Sequence, residues 1–459
     1  MRDKSLYTIF VIFLVINLQA QWIQTTTDSA WQKRSLPELK PDIESEENVV
    51  NIHLDKKLQV INGFGGSFNE RGWDALAVLP AEKRQKILRN LFDDEQGCAF
   101  NICRMPLGAN DYSMDYYSLA PVKNDYKMEH FTIEREKKYL MPYIKSAMQF
   151  NSDLKVWASP WCPPQWMKKS GIYACQGWKE TSSMRWESEV LDAYALYFSK
   201  FIKAYREAGI NLYAIHVQNE VAACQIFPSC LWSGEELSEF ISDYLGPKLE
   251  QDGLGNTEIW LGTINHKDYS KYAGKVLSDA DAAKYIDGVG YQWAGKFAVE
   301  ETRENHPEIK IMQTESECGD GSNDQDAAEY TYSLICHYLK NGANSYLYWN
   351  MVLDNSGLST WGWQQNSMIS IGRYTMDVHY NQEFYVMKHL SHYIEPGARF
   401  IKTTGNDDDI LVFENPDQEV IIIAGNDTQF PKTYTFKFNN KNLQVEIEPH
   451  SFNSFIINK

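Results

Sequence analysis

Residues Leu212–Glu220 read LYAIHVQNE. Leu212, Ala214, His216 and Gln218 alternate with Tyr213, Ile215, Val217 and Asn219, the pattern of a buried strand that stops at an Asn-Glu pair. An amide and a carboxylate are poor choices for a core. At the C-terminal tip of a parallel strand they are well placed for chemistry, because that face of a (β/α)8 barrel carries the active site. Residues Ile309–Glu315, IKIMQTE, have the same design and also end on a carboxylate. Two acids at two strand mouths make a pair suited to cleaving a glycosidic bond.

Around these two stretches the chain beats between strands and helices. Eight segments read as barrel strands: Ile61–Phe64, Phe100–Pro106, Lys155–Ser159, Leu212–Gln218, Glu258–Gly262, Gly288–Tyr291, Lys310–Thr314 and Ser345–Trp349. Helical stretches at Ala81–Phe92, Ile133–Phe150, Glu187–Glu207, Glu235–Gln251 and Asp326–Lys340 fall between them. Alternation of this length predicts an α/β fold with a parallel sheet, and eight repeats predict closure into a TIM barrel over residues 49–395. After about Arg399 short strands separated by turn residues take over, which predicts an appended antiparallel β-sandwich module over 396–459. The early strand Val49–Leu54 has no helix after it and is a candidate to join that module. A length of 459 residues suits a large barrel plus such a module.

The first residues read differently. Arg2 and Lys4 precede an apolar run from Leu6 to Ile16, and Ala20 offers a cleavage site, so 1–20 is expected to be a signal peptide of a secreted or periplasmic protein. The run is too short to span a membrane comfortably, and no later segment is longer and as apolar, so no stable membrane insertion is expected. Residues 21–48 are polar and aperiodic and read as a leader or linker. The net charge of -17 opposes binding to nucleic acid. Eight cysteines show no C-x-x-C pairing, so no zinc site is expected; Cys224/Cys230 or Cys162/Cys175 are close enough to pin loops as disulfides. No His/Cys/Asp cluster has metal-ligand spacing, and no metal or organic cofactor is expected.

Three loops add detail. Gly63–Phe68 (GFGGSF) lacks both G-x-G-x-x-G and a Walker lysine, which favours tight packing at the barrel mouth over phosphate binding. Arg104 ends a strand, where it can hold a carboxylate ionised, and Asp111 follows in the same loop. The Pro-stiffened loop after the third strand carries Trp161 and Trp166, which can form a flat stacking wall.

These motifs together resemble glycoside hydrolase family 30, a group of retaining barrel glycosidases that includes lysosomal glucosylceramidase. The resemblance rests on FGGSF at Phe64–Phe68, RMPLGANDYS at Arg104–Ser113, ASPWCPPQWMK at Ala158–Lys168, QNE at Gln218–Glu220, QTESEC at Gln313–Cys318 and YWNMVLD at Tyr348–Asp354. All occur in the family's order. The resemblance implies that Glu220 is the general acid/base, Glu315 the nucleophile, and Asn219 the residue that binds a 2-hydroxyl. It also implies that Asp111, Trp161 and Trp349 line the sugar pocket, that Arg104 sits beside the nucleophile, and that the substrate is a carbohydrate or glycolipid bearing a β-linked glucosyl unit. An endo-acting β-1,6-glucanase or xylanase, or an inactive sugar-binding scaffold, are the alternatives. Glu317, two residues beyond Glu315, is the rival nucleophile. Two positions depart from the family: Val221 stands where proline usually follows the acid/base, and Ala294 replaces a pocket tyrosine, leaving Tyr291 as the nearest hydroxyl. The loops Cys224–Trp232 and Thr360–Gln365 do not map onto the resemblance to glucosylceramidase and are expected to shape the leaving-group side.

Overall fold

In the computed structural model, which describes residues 20–41, 48–175, 177 and 179–457, eight parallel strands close into a barrel in chain order. They are Gly63–Ser67, Ile102–Pro106, Lys155–Ser159, Leu212–His216, Glu258–Ile264, Ile286–Gln292, Lys310–Glu315 and Ser345–Asn350. Every strand expected from alternation is present, with ends displaced by a few residues. The first two strands approach closely because glycine permits it: a Cβ on Gly65 would lie 1.8 Å from the Ile102 carbonyl oxygen.

The helices follow the apolar periodicity. Ala81–Phe92 buries Ile87, Leu88, Leu91 and Phe92 on one face, and Ser188–Glu207 buries a stripe that includes Val190, Tyr194, Phe198 and Phe201. Two expected helices are altered by proline. The helix expected from Ile133 begins only at Leu140, which leaves Pro142 in the first turn, where a missing N–H does least harm. The helix expected over Glu235–Gln251 is interrupted by a π-helical segment, Phe240–Leu245, just before Pro247. The wider turn relieves the clash that the proline ring would otherwise make one turn back.

The inside of the barrel is layered. Ile102, Trp157, Ala214, Trp260, Met312 and Leu347 form one cluster on the barrel floor. Two residues further along five of these strands stand Arg104, Ser159, His216, Thr314 and Trp349, a polar and aromatic layer nearer the C-terminal mouth.

Residues 21–41 correct the reading of a leader. They contribute the strands Gln21–Thr26, Gln32–Arg34 and Lys40–Pro41 to a ten-stranded sheet. Gln21–Thr26 pairs antiparallel with Ser451–Ile457, so that Trp22 enters the core of the β module and Ile23 packs towards the barrel. The stretch looked like a linker because its buried polar groups are satisfied only by distant partners. Trp22 and Gln24 both donate to Asn453 Oδ1, at 2.9 and 3.0 Å, and Thr25 pairs with His389 at 2.9 Å. Val49–Val60 also belongs to this sheet, between Arg399–Gly405 and Lys432–Phe438. Its pairing with Lys432–Phe438 is parallel; every other pairing in the sheet is antiparallel among the described residues. The sheet folds over itself, since Phe436 and Phe455, from strands far apart in its order, touch at 5.7 Å.

The module is docked on the barrel through a strand with two apolar faces. Val420, Ile422 and Ala424 fill the sandwich core, whereas Ile421 and Ile423 join the main core cluster. Apart from Ala20, the expected signal peptide lies outside the described residues, as does most of the segment joining the third short strand to Val49.

Candidate active site

At the barrel mouth a cavity of about 360 Å³ opens among the strand-end loops. Asp111, Trp161, Asn219, Glu220 and Glu315 line it together with Gln225, Phe227, Asn265, Trp293, Trp363 and Gln365. Five of the seven residues singled out in the sequence thus face one space. The other two, Arg104 and Trp349, are fully buried behind them. Trp349 packs on Trp161 at 5.5 Å, and the Arg104 guanidinium lies 4.2 Å from the centre of the Trp161 ring.

Arg104 organises the polar layer. It donates to Glu315 Oε2 at 2.7 Å, to Asn219 Oδ1 at 2.6 Å and to Ser159 Oγ at 3.0 Å. Asn219 accepts a further bond from Thr263 Oγ1 at 2.8 Å. Breaking a buried, hydrogen-bonded ion pair from one side costs about 3–5 kcal/mol, so Arg104 supports the fold as well as the site. In the same layer, His216 is stacked between Trp157 and Trp260 at 3.9 and 5.1 Å, and its Nδ1 is bonded to the Gly262 carbonyl at 2.7 Å. Burial, with Arg104 nearby, holds its pKa well below the usual imidazole value, so it is a neutral member of this layer.

Gln292 links Glu220 to the Arg104–Glu315 pair, and nothing in its own stretch, GVGYQW, distinguishes it from a strand-core residue. Its side-chain N–H groups reach Glu220 Oε1 at 3.2 Å and Asn219 Oδ1 at 3.3 Å. Its oxygen accepts from Thr314 Oγ1 at 2.9 Å and from the Arg104 guanidinium at 3.4 Å. Trp293 was missed as well. It sits at φ 50°, uncommon for a bulky side chain, is exposed at the cavity and favours the charged form of Glu315. Glu220 is at φ 47°, anchored by its own N–H donating to the Thr263 carbonyl at 3.0 Å.

Strand alternation alone does not place Glu315. Thr314 already reaches inward to Gln292, yet Glu315 also points at Arg104. The register between the sixth and seventh strands slips at Tyr291/Gln292, which lets two consecutive residues serve one side. Glu317 lies beyond the strand and turns elsewhere, to Lys296 Nζ at 2.7 Å and Tyr330 Oη at 2.5 Å. Tyr291 is not in the site; its hydroxyl is buried against Thr302 at 2.5 Å. Trp166 also leaves the expected stacking wall, because its indole donates to the Ala120 carbonyl at 3.0 Å in the core.

The charges are unequal. Burial, then the neighbouring charge of Glu315, pushes the Glu220 carboxyl up to about 8, against the opposing pull of Gln292 and Arg104. Burial raises Glu315 too, but Arg104 opposes this both by charge and by direct hydrogen bonding, helped by Trp293 and Gln292. Asp111 is held well above the carboxylate range by burial and by the other two acids. Its Oδ1 and the indole nitrogen of Trp349 are buried without a protein partner. Among the described residues, no group of three or more His, Cys, Asp or Glu is arranged to hold a metal ion.

Of the cysteine pairs left open by the sequence, neither forms. One member of each joins the other, Cys175 to Cys224, with Cα atoms 5.0 Å apart.

Residues 61–394 match the model of the glycosyl hydrolase family 30 TIM-barrel domain. A Caenorhabditis elegans protein provisionally named glucosylceramidase 1 is 31% identical over 399 residues, covering 82% of this chain and 76% of that protein. The endo-1,6-beta-D-glucanase neg1 of Aspergillus fumigatus is 27% identical over 378 residues, covering 76% and 73%. The crystal structure of SrfJ from Salmonella typhimurium superposes with a TM-score of 0.87 at 23% identity, over 96% of this chain and 99% of that one. At that identity the likeness speaks for the fold alone.

Proposed function

The chain belongs to glycosyl hydrolase family 30, and we propose that it is a retaining β-glycosidase that releases β-linked glucosyl units. In this reading Glu315 is the nucleophile and Glu220 the acid/base. The observation that carries it is the asymmetry of two carboxylates lining one cavity, of which only Glu315 is paired with Arg104. In such a pair the negative charge settles beside the guanidinium and the proton stays on Glu220.

The reaction then runs in two displacements. A Glu315 oxygen attacks the anomeric carbon as the glycosidic C–O bond breaks, and the leaving oxygen takes the proton of Glu220. Forming the ester removes the charge of Glu315, which lowers the proton affinity of Glu220. The Glu220 carboxylate takes a proton from water, the water oxygen attacks the same carbon, and Glu315 departs as the carboxylate. Asn219 is oriented by Arg104 and Thr263 to meet the 2-hydroxyl, and the unpartnered Asp111 oxygen and Trp349 N–H are suited to other sugar hydroxyls. A glucosylceramidase-like substrate follows the 31% identical relative. An endo-acting β-1,6-glucanase is the second reading, favoured by the 27% identical relative. Export fits the Cys175–Cys224 disulfide, which persists in oxidising compartments.

The test is stereochemical. Proton NMR of the first sugar released from an aryl β-glucoside should show the β-anomer, and an α-anomer formed first would overturn the double displacement.

A pH profile tests the assignment of the proton. Activity needs Glu220 protonated, so kcat/KM should fall as pH rises through about 8 on substrates that need a proton on the leaving oxygen. With a dinitrophenyl leaving group that limb should vanish. Gln292→Met removes an N–H that favours the Glu220 anion, so it should move the limb to higher pH. A limb that stays in place in this variant would show that Gln292 does not act on Glu220.

A further inference from the structure

The cavity has a second region that the two acids do not use. Gln225 and Phe227 come from the loop after the fourth strand, and Trp363 and Gln365 from the segment after the eighth. The Phe227 and Trp363 rings meet edge to face at 4.7 Å. The oxygen of Gln365 is taken by Asn350 Nδ2 at 3.0 Å, which leaves its N–H groups to donate.

This wall is braced from behind. The Cys175–Cys224 disulfide ties the fourth-strand loop to the third-strand loop immediately before Gln225. The Cys175 N–H donates to the Gln225 carbonyl at 2.9 Å. Lys168, 1% exposed, sends its ammonium to three carbonyls from both loops: Tyr173 at 3.1 Å, Ala174 at 3.3 Å and Ser229 at 2.6 Å. On the outer side Tyr116 stacks parallel to Tyr173 at 5.8 Å, lies 5.1 Å from Trp361, and donates to the Ile226 carbonyl at 2.5 Å. A buried ammonium is tolerated only when its donors are all met, and here meeting them fixes the two loops to each other.

We infer that Phe227, Trp363 and Gln225 form a subsite for a sugar ring on the leaving-group side, so that the preferred substrate is a glucoside whose aglycone is itself a carbohydrate. The inference rests on the glycosidase reading above. A pyranose ring has an apolar C–H face and a hydroxyl-bearing edge. Rigid aromatic faces flanked by amides meet both, whereas an alkyl chain would leave the amides of Gln225 and Gln365 unpaired. Bracing lowers the entropy lost on binding and suits a ligand of fixed shape.

The experiment compares Trp363→Ala with the unaltered protein on three substrates: a β-linked gluco-oligosaccharide, octyl β-glucoside and β-glucosyl fluoride, whose leaving group has no ring. The variant should lose at least tenfold more kcat/KM on the oligosaccharide than on the fluoride, mainly through KM. The double variant Cys175→Ser/Cys224→Ser should shift the same ratio in the same direction by severalfold. Equal losses on all three substrates, or a loss greatest on octyl β-glucoside, would overturn the subsite. Calorimetric titration of the oligosaccharide into Glu220→Gln, with and without Trp363→Ala, separates the two readings. Binding weakened tenfold by the Trp363 change, in a protein whose parent cleaves no β-glucoside, would keep the subsite and remove the glycosidase. Binding that Trp363→Ala leaves unaltered would remove the subsite.

Discussion

Glu315→Ala is expected to lower kcat/KM at least about a thousandfold on every substrate, whatever the leaving group, because no glycosyl-enzyme can form without the attacking carboxylate. Glu317→Ala is the control. Its carboxylate pairs with Lys296 and Tyr330 outside the cavity, so its loss should leave activity within about tenfold of the starting protein. Small anions sharpen the result. Azide in the space vacated by Glu315 attacks the face opposite the leaving group and should yield the α-glycosyl azide. If Glu317→Ala were inactive and Glu315→Ala active, the nucleophile would be misassigned by two positions. Circular dichroism of both variants is needed beside the kinetics, because Glu315 neutralises the buried Arg104 and its removal leaves that charge unpaired.

Glu220→Ala should behave in a different way, because it removes a proton donor and not a bond-forming atom. On substrates whose leaving group needs a proton, kcat/KM should fall by roughly three orders of magnitude, in line with the loss of a positioned acid. With a dinitrophenyl glucoside the first displacement should survive. The glycosyl-enzyme then accumulates, since no base activates water, and a burst of dinitrophenolate should precede a slow steady state. Azide needs no base and fits the gap, so it should restore turnover and give the β-glycosyl azide. The two variants thus differ in the hand of a stable product, which does not depend on small differences in rate. An α-azide from Glu220→Ala, or no rescue on an activated substrate, would remove Glu220 from the role.

The strength of the first effect traces to contacts between strands that are distant along the chain. Arg104 and Glu315 are 211 residues apart, and Arg104 and Asn219 are 115 apart. The second strand supplies a cation, the fourth an amide and an acid, the sixth the bridging amide and the seventh the second acid. Because the strands are parallel, all of these ends reach the same mouth.

The sequence by itself determined the eight strands, the helices and the six short strands after Arg399, since each depends on local alternation or periodicity within one segment. It also marked Glu220 and Glu315, because a carboxylate at the end of an apolar run stands out against its own neighbours. Tertiary structure alone decided the rest. Gln292 ends a strand whose composition matches its core and Trp293 follows it, and only closure of the barrel brings them to the acids. The choice of Glu315 over Glu317 as the acid facing the cavity turned on a register slip against the neighbouring strand and on the end of the seventh strand at Glu315. Cys175–Cys224 and the strand Gln21–Thr26 depended on partners 49 and more than 400 residues away. Local pattern encodes which face of an element is apolar; which distant groups meet across that face is set by the packing of the whole chain.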